Sequence, residues 1–421
     1  MADPTPREEP DPGGGSGSAF RQPHFTQYWI SNILQGLAAG LQMLASQWLI
    51  TSLTTSRTLL GLVGFVQGII VAFSSPLAGV AADRFAKRDL MLAGRLGALL
   101  VLGILIALVA ADVIRMWHII VTAALLGFMI SMIQPASQTY VFDIVGRTRL
   151  QNAVAVNAAG AGIAQLGGPA LAGVLIATIG ILGTYISGAG GEILSIALLA
   201  TIPIRGKSER TQKTSAWSDL REGFRYVARE RAVFLVLVAC SMAIFNGALF
   251  SMRTIFARFV LKVGSRGFGV MGAAAGAGTM TGAVIASFMP RITRPGTAIV
   301  VAMLLFGTTV FLYSFAFSFT YILVIEFLNG LSGQMWSVAT FAGLQMAVPE
   351  AMRGRVISLV WMVIQLAPIG NLLVGALADA VGDQLALGIF GAIPMVILSL
   401  LLLFGWKTLW SLQPLDEATA S

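Results

Sequence analysis

Side chains that carry chemistry are scarce in this chain. In 421 residues it has two histidines, His24 and His118, and one cysteine, Cys240. Both histidines fall near the ends of apolar segments, so no metal-ligand cluster is expected. A lone cysteine inside an apolar run excludes an intrachain disulfide. No Gly-x-x-x-x-Gly-Lys-Ser/Thr loop is present, so the chain is not expected to hydrolyse nucleotide itself. No nucleophile–base–acid set can be assembled either, so no enzymatic activity and no cofactor are expected. Charge is scarce as well: 11% of the residues are Asp, Glu, Lys or Arg, while 56% are hydrophobic. An average soluble domain carries about 25% charge. A soluble protein of this size could not cover its surface with so little.

What is present is apolar sequence in long runs, among them Leu99–Ala111, Ile119–Ile130 and Ile393–Phe404. A bilayer core of about 30 Å takes about 20 apolar helical residues to cross. Cutting at the charged clusters predicts an all-α membrane protein of twelve spans: 27–53, 58–82, 88–110, 116–141, 151–179, 182–204, 231–261, 267–289, 296–317, 319–347, 353–381 and 384–407.

The net charge of +8 follows this division. With the N-terminus in the cytoplasm, both tails and the even-numbered loops hold 21 of the 27 Lys and Arg, Arg95 among them. The external loops hold four, and Arg253 and Arg258 lie late in span seven. That asymmetry predicts both termini cytoplasmic in a multi-pass inner-membrane protein. The basic excess faces anionic lipid headgroups, and no nucleic-acid partner is expected. Residues 1–26 read as a disordered cytoplasmic tail without a signal peptide's apolar core, and 411–421 as a second tail.

The polar stretch 205–230 divides the spans six and six, giving helical bundles over 27–204 and 231–410. Trp217, Leu220, Phe224 and Val227 recur at 3-4-3 spacing within it, predicting an interfacial amphipathic helix. The halves resemble each other. Leu171-Ala-Gly173-Val-Leu175 in span five returns as Leu373-Val-Gly375-Ala-Leu377 in span eleven, and Arg147-Thr-Arg149 before the first as Arg353-Gly-Arg355 before the second. Both copies run in one direction, so the repeats are parallel. Such repeats place a substrate site between the halves near the midplane.

The loop between spans two and three reads Gly79-Val-Ala-Ala-Asp83-Arg84-Phe-Ala-Lys87-Arg88. Gly79 permits close helix approach, and Arg84, Lys87 and Arg88 can anchor on phosphate. A carboxylate at the hydrocarbon edge needs a cationic partner. The positive end of span eleven, beside Arg353 and Arg355, is the expected partner of Asp83.

This loop resembles the signature loop of the major facilitator superfamily, with Ala86 where glycine is usual. Gly168-Pro169-Ala-Leu-Ala-Gly173 is similar to the helix-packing element of its antiporter branches. Trp48–Thr54, Gln134-Pro-Ala136, Leu150–Ala153, Leu220–Tyr226 and Arg353–Val356 resemble the enterobactin-exporter and macrolide-efflux branch. The likeness runs over nearly all of residues 26–405. It implies the major facilitator fold, two parallel six-helix pseudo-repeats, and efflux by alternating access. Two departures stand out: span four lacks the usual antiporter arginine, with Ala123 near its place, and span one has no acidic residue.

Candidate site residues form stripes. Asn32, Gln35, Ala39, Gln42 and Ser46 share one face of span one, and Gly127, Ser131, Gln134 and Gln138 one face of span four. Polar side chains avoid lipid, so these stripes face water or another helix. A central cavity is the favoured reading, with Asn246, Asn329, Trp336 and Thr340 on its other wall. Glu192, mid-span with no basic neighbour in sequence, is the first candidate for proton coupling or a cationic substrate group, and Glu326 the second. Arg253 and Arg258 are expected to pair with Glu326 or to snorkel, and Asp379 to be interfacial.

The expected activity is export of amphiphilic small molecules (siderophore, macrolide or other drug-like compounds) by a monomer, with protons as a candidate coupling ion and membrane lipid as its surroundings. A lysophospholipid translocator, an importer of a small solute and a transport-dead sensor remain open alternatives.

Overall fold

The computed structural model describes residues 19–206, 216–288 and 294–411. The side chains of Asp83, Arg147, Trp217, Leu220 and Glu350, and the packing of Gly79, lie outside the described residues.

The described chain is helical throughout. The helices are α1 (Pro23–Leu53), α2 (Arg57–Arg84), α3 (Lys87–Ala110), α4 (Met116–Ala200), α5 (Ala216–Arg229), α6 (Arg231–Ser241), α7 (Ala243–Ile255), α8 (Gly264–Phe288), α9 (Pro295–Tyr313), α10 (Phe319–Ala347), α11 (Glu350–Ile364), α12 (Ala367–Val381) and α13 (Asp383–Trp410). Among the described residues, ten helical stretches are long and apolar enough to cross a membrane. The 85-residue α4 is not one rod. Gly146 and Gly180 break it with φ of 70° and 75°, a conformation that side chains beyond glycine rarely adopt.

Two of the expected spans are themselves interrupted. Residues 231–261 turn at Met242, between α6 and α7, and residues 353–381 at Gln365–Leu366, between α11 and α12. Pro368 starts the second half of the latter break, where its missing N–H costs nothing. The interrupted pair pack together at bare backbone. A Cβ on Gly247 would collide with the Ala367 carbonyl, and one on Gly370 with that of Ile244.

The apolar packing defines two unlike ends. At the end away from the chain termini, one buried cluster draws on both halves of the sequence: Leu44, Leu49, Leu60 and Tyr185 pack with Met252, Phe256, Phe268 and Phe390. At the terminal end the packing divides. One cluster holds Phe25, Tyr28, Met91, Tyr140 and Ile202, and a separate one holds Val227, Val236, Met303, Val360 and Leu409. The two halves therefore join at the far end and part at the terminal end.

Gly168, Pro169 and Gly173 sit within the join. Gly168 lies against Gly40 of α1, while Pro169 and Gly173 face Gly272 and Gly269 of α8. Small residues there let backbones approach closely, as in other membrane helix pairs. The linker helix α5 lies along α11. Its Gly223 faces Arg355 and Leu359, Val227 is buried, and Glu222 pairs with Arg355 at 2.7 Å.

Candidate functional site

A cavity of about 680 Å³ occupies the middle of the molecule, walled by α1, α2, α3, α4, α7, α12 and the break before α12. Its polar groups are mostly uncharged: Gln35, Gln42, Ser46, Gln47, Gln67, Thr122, Gln134, Ser251, Gln365 and Asn371. Among the described residues, Glu192 is the single ionisable side chain on the wall. The rest is Leu, Ile, Val, Met, Ala, Phe, Gly and Pro. A mostly apolar cleft with a few placed amides and one carboxyl suits an amphiphile better than a sugar or an inorganic ion.

Of the expected stripes, Gln35, Ala39, Gln42, Ser46 and Gln134 line this cavity, and Ala123 does too. Ser46 shares a hydrogen bond with Tyr185 Oη at 2.9 Å. The amide nitrogen of Gln42 is buried without a protein partner.

Others are placed elsewhere. Asn32 is turned out of the cavity, because its carbonyl accepts from Arg95 Nη2 at 2.8 Å and its amide donates to Asn157 at 3.2 Å. Gly127 is pressed against the Gln67 backbone of α2, and the Ser131 hydroxyl donates to Phe128 O one turn back at 2.7 Å. Gln138 is exposed beyond the cavity wall, toward the terminal end. Asn329 donates to Thr309 at 2.6 Å, Trp336 stacks on Phe306 with ring centroids 6.1 Å apart, and both are absent from the wall. Asn246 and Thr340 are buried away from it as well.

Glu192 is 7% exposed and has a cationic neighbour that its own stretch of sequence does not contain. Arg95 of α3 lies within electrostatic reach of it. The reading that put Arg95 with the loop cations is thereby corrected: the residue is 1% exposed inside the first bundle. Its Nη1 donates to Ser31 Oγ at 2.7 Å and Ser195 Oγ at 2.5 Å, and its Nε is buried without a partner. Arginine does not give up its proton in proteins. Three neutral acceptors solvate this cation, and Glu192 is the carboxyl placed to balance its charge.

Glu326 is held differently. It is fully buried and takes a two-pronged ion pair from Arg253, with Nε–Oε1 at 2.5 Å and Nη2–Oε2 at 2.6 Å. Tyr313 Oη donates to it as well, at 3.0 Å. Arg258 does not join this pair. It reaches across to α1, where it donates to Thr51 Oγ1 at 2.6 Å and lies over the Trp48 ring at 5.3 Å.

The far end carries a polar clasp between the halves. Asp379, near the end of α12, accepts from the backbone N–H of Arg57 and of Thr58 at 2.9 Å each, from Thr58 Oγ1 at 2.6 Å and from Ser56 Oγ at 3.0 Å. It caps the N-terminus of α2 from the other half, where a carboxylate also meets the positive end of the helix dipole. Beside it, Arg57 forms a two-pronged pair with Asp383 at 2.9 and 3.0 Å. At the terminal end, Lys87 pairs with Asp143 at 2.7 Å, and the Arg88 guanidinium donates to the Ile202 carbonyl, so these two motif cations are held within the first half.

Sequence reasoning missed Arg95, the backbone break at Gln365–Pro368 and the Asp379 cap. The Leu366-Ala367-Pro368 run carried a usable signal, since the residue before a proline resists the helical conformation. The other two depend on partners far away in sequence.

An all-helical membrane chain folded around one amide-lined central cavity, joined at one end and parted at the other, has the architecture of a transporter for small solutes. The model of the transmembrane secretion effector family matches residues 15–417, and the chain belongs to that family of major facilitator transporters. The uncharacterized MFS-type transporter YfiS of Bacillus subtilis (strain 168) is 22% identical over 367 residues, 82% of this chain and 84% of YfiS. The multidrug efflux pump Tap of Mycolicibacterium fortuitum is 24% identical over 381 residues, 88% of this chain and 92% of Tap. Among solved structures, the nucleoside transporter NupG superposes with a TM-score of 0.70 at 14% identity, over 92% of this chain and 99% of NupG, a likeness of fold.

Proposed function

We propose that this chain is a secondary exporter of amphiphilic small molecules, built as two parallel six-span halves with both tails in the cytoplasm. Breaking α4 at Gly146 and Gly180 and counting the interrupted stretches once each gives twelve crossings. The observation that carries the reading is the cavity between halves that are clasped at the far end and parted at the terminal end. With the tails cytoplasmic, this is the state that loads substrate from the cytoplasm or the inner leaflet. The similarity to an efflux pump supports outward movement.

Release requires the opposite arrangement. The Asp379 cap and the Arg57–Asp383 pair would open, and the terminal end would close. Asp83 is the proposed closing group there, settling on the first turn of α11 near Arg353 and Arg355. Helix α2 thus carries a clasp at both ends, its own N-terminus at one and Asp83 at the other. The two clasps exclude each other. Gln35, Gln42 and Gln134 are the proposed substrate contacts, and Glu192 the coupling carboxyl.

An efflux assay tests this reading. Cells producing the protein should accumulate severalfold less of at least one amphiphilic dye from a panel of fluorescent cations and neutral compounds. The Asp379→Asn, Asp383→Asn double variant should return accumulation to the level of cells without the protein. Equal accumulation with and without the protein across the panel would refute export.

A further inference from the structure

We infer that the groove between α6 and α13 is a binding site for one anionic phospholipid. The groove has a volume of about 610 Å³, inside the ~300–1,000 Å³ range of small-ligand clefts, and is separate from the central cavity. Arg231, Phe234, Leu400, Leu401, Phe404 and Thr408 line it. Both helices belong to membrane-crossing stretches. Phe404 is 84% exposed and Phe234 49%, so the groove opens sideways toward lipid.

Its chemistry is two-part. The body is apolar and runs along the helices, which suits an acyl chain. The polar groups gather at the terminal end, where Arg231 begins α6 and Thr408 lies near the end of α13. Arg231 makes no hydrogen bond or ion pair with a described residue, so its guanidinium is available to a phosphate. Arg is well fitted to that role by its forked donors.

The surroundings favour an anion over a neutral headgroup. Arg221, Arg225 and Arg229 recur every fourth residue of α5 and are all exposed. Lys407 is exposed beside Thr408. Glu230 is the acidic residue next to Arg231, and Glu222 is already taken by Arg355. Basic pockets between membrane helices on the cytoplasmic side are suited to anionic headgroups. A zwitterionic lipid would bring its own cation into a neighbourhood that already has too many.

The test uses full-length protein purified in detergent and incubated with phosphatidylglycerol or phosphatidylcholine, with bound lipid counted by native mass spectrometry. The wild-type protein should retain phosphatidylglycerol over phosphatidylcholine. Arg231→Gln should lower phosphatidylglycerol retention about fivefold, the order expected for one basic residue, and leave phosphatidylcholine unchanged. Leu400→Trp, which fills the groove from an exposed position, should lower retention of both lipids. A monodisperse elution profile establishes that each variant is folded. Equal retention of the two lipids by the wild type, or undiminished phosphatidylglycerol in both variants, would overturn the site.

Discussion

Glu192→Gln is expected to abolish uphill export while leaving substrate binding and downhill exchange in place. Glutamine keeps the shape and the hydrogen-bonding ends of the side chain but can neither take nor give a proton. The effect should be large because Glu192 is the single ionisable side chain on the cavity wall among the described residues. Its placement also sets a charge balance. Arg95 is buried within electrostatic reach of it with a permanent positive charge, so ionised Glu192 leaves the pair neutral and protonated Glu192 leaves it cationic. A cationic group on a substrate would compete with that proton for one carboxylate. Exchange of the two on opposite sides of the membrane is antiport. The check is transport into proteoliposomes under an imposed pH gradient, with binding followed separately by quenching of tryptophan fluorescence. A variant that still builds a pH-driven gradient at the wild-type rate would move coupling away from Glu192. Glu326 would then be the next carboxyl to test.

Arg253→Ala is expected to cost more folded protein than any substitution in the cavity. It would leave the Glu326 carboxylate fully buried with Tyr313 as its remaining partner. Removing one member of a buried ion pair costs about 3–5 kcal/mol, because the other charge stays behind. That is a large share of the ~5–15 kcal/mol that holds a typical domain together. Removing both charges is a different matter, since a neutral pair of similar volume carries no stranded charge. Arg253→Met with Glu326→Gln should therefore recover most of the yield and melting temperature lost in the single variant. Yield and melting temperature in detergent give the comparison. A single variant as stable as the wild type would show that the pair does not hold α7 to α10.

The membrane character of the chain is legible because charge is so sparse that its clusters mark the ends of the apolar runs. The break of α4 at Gly146 is legible for a related reason, since it falls beside Arg147-Thr-Arg149 and positive φ favours glycine there; the break at Gly180 has no charged residue beside it. Part of the cavity wall is legible too. Gln35, Gln42 and Ser46 follow helical spacing, and spacing reports which residues share a face. It does not report what the face meets. Asn32 shares that stripe and yet turns to Arg95, while Ser131 shares the span-four stripe and bonds to its own helix. Arg95 shows the same limit from the other side. Counting basic residues by distance from an apolar run assigns it to a loop. Eight residues into α3, about 12 Å at ~1.5 Å per residue, it instead meets Ser31 and Ser195, which arrive from far along the chain. The Asp379 cap is hidden similarly, since an acidic residue near a helix end reads as interfacial until the N-terminus it caps is known.

The exchange of one closed end for the other is best measured by distances at both ends of a single preparation. In a Cys240→Ser background, spin labels at Thr55 and Gln384 report the far end, and labels at Phe85 and Gly354 the terminal end; all four positions are exposed. Double electron–electron resonance in lipid nanodiscs should show the far-end distance lengthening and the terminal-end distance shortening as transported amphiphile or acid pH shifts the population. Asp379→Asn with Asp383→Asn should shift both distributions the same way without ligand. Two distances that stay fixed under every condition, or that lengthen together, would contradict alternating access in this protein.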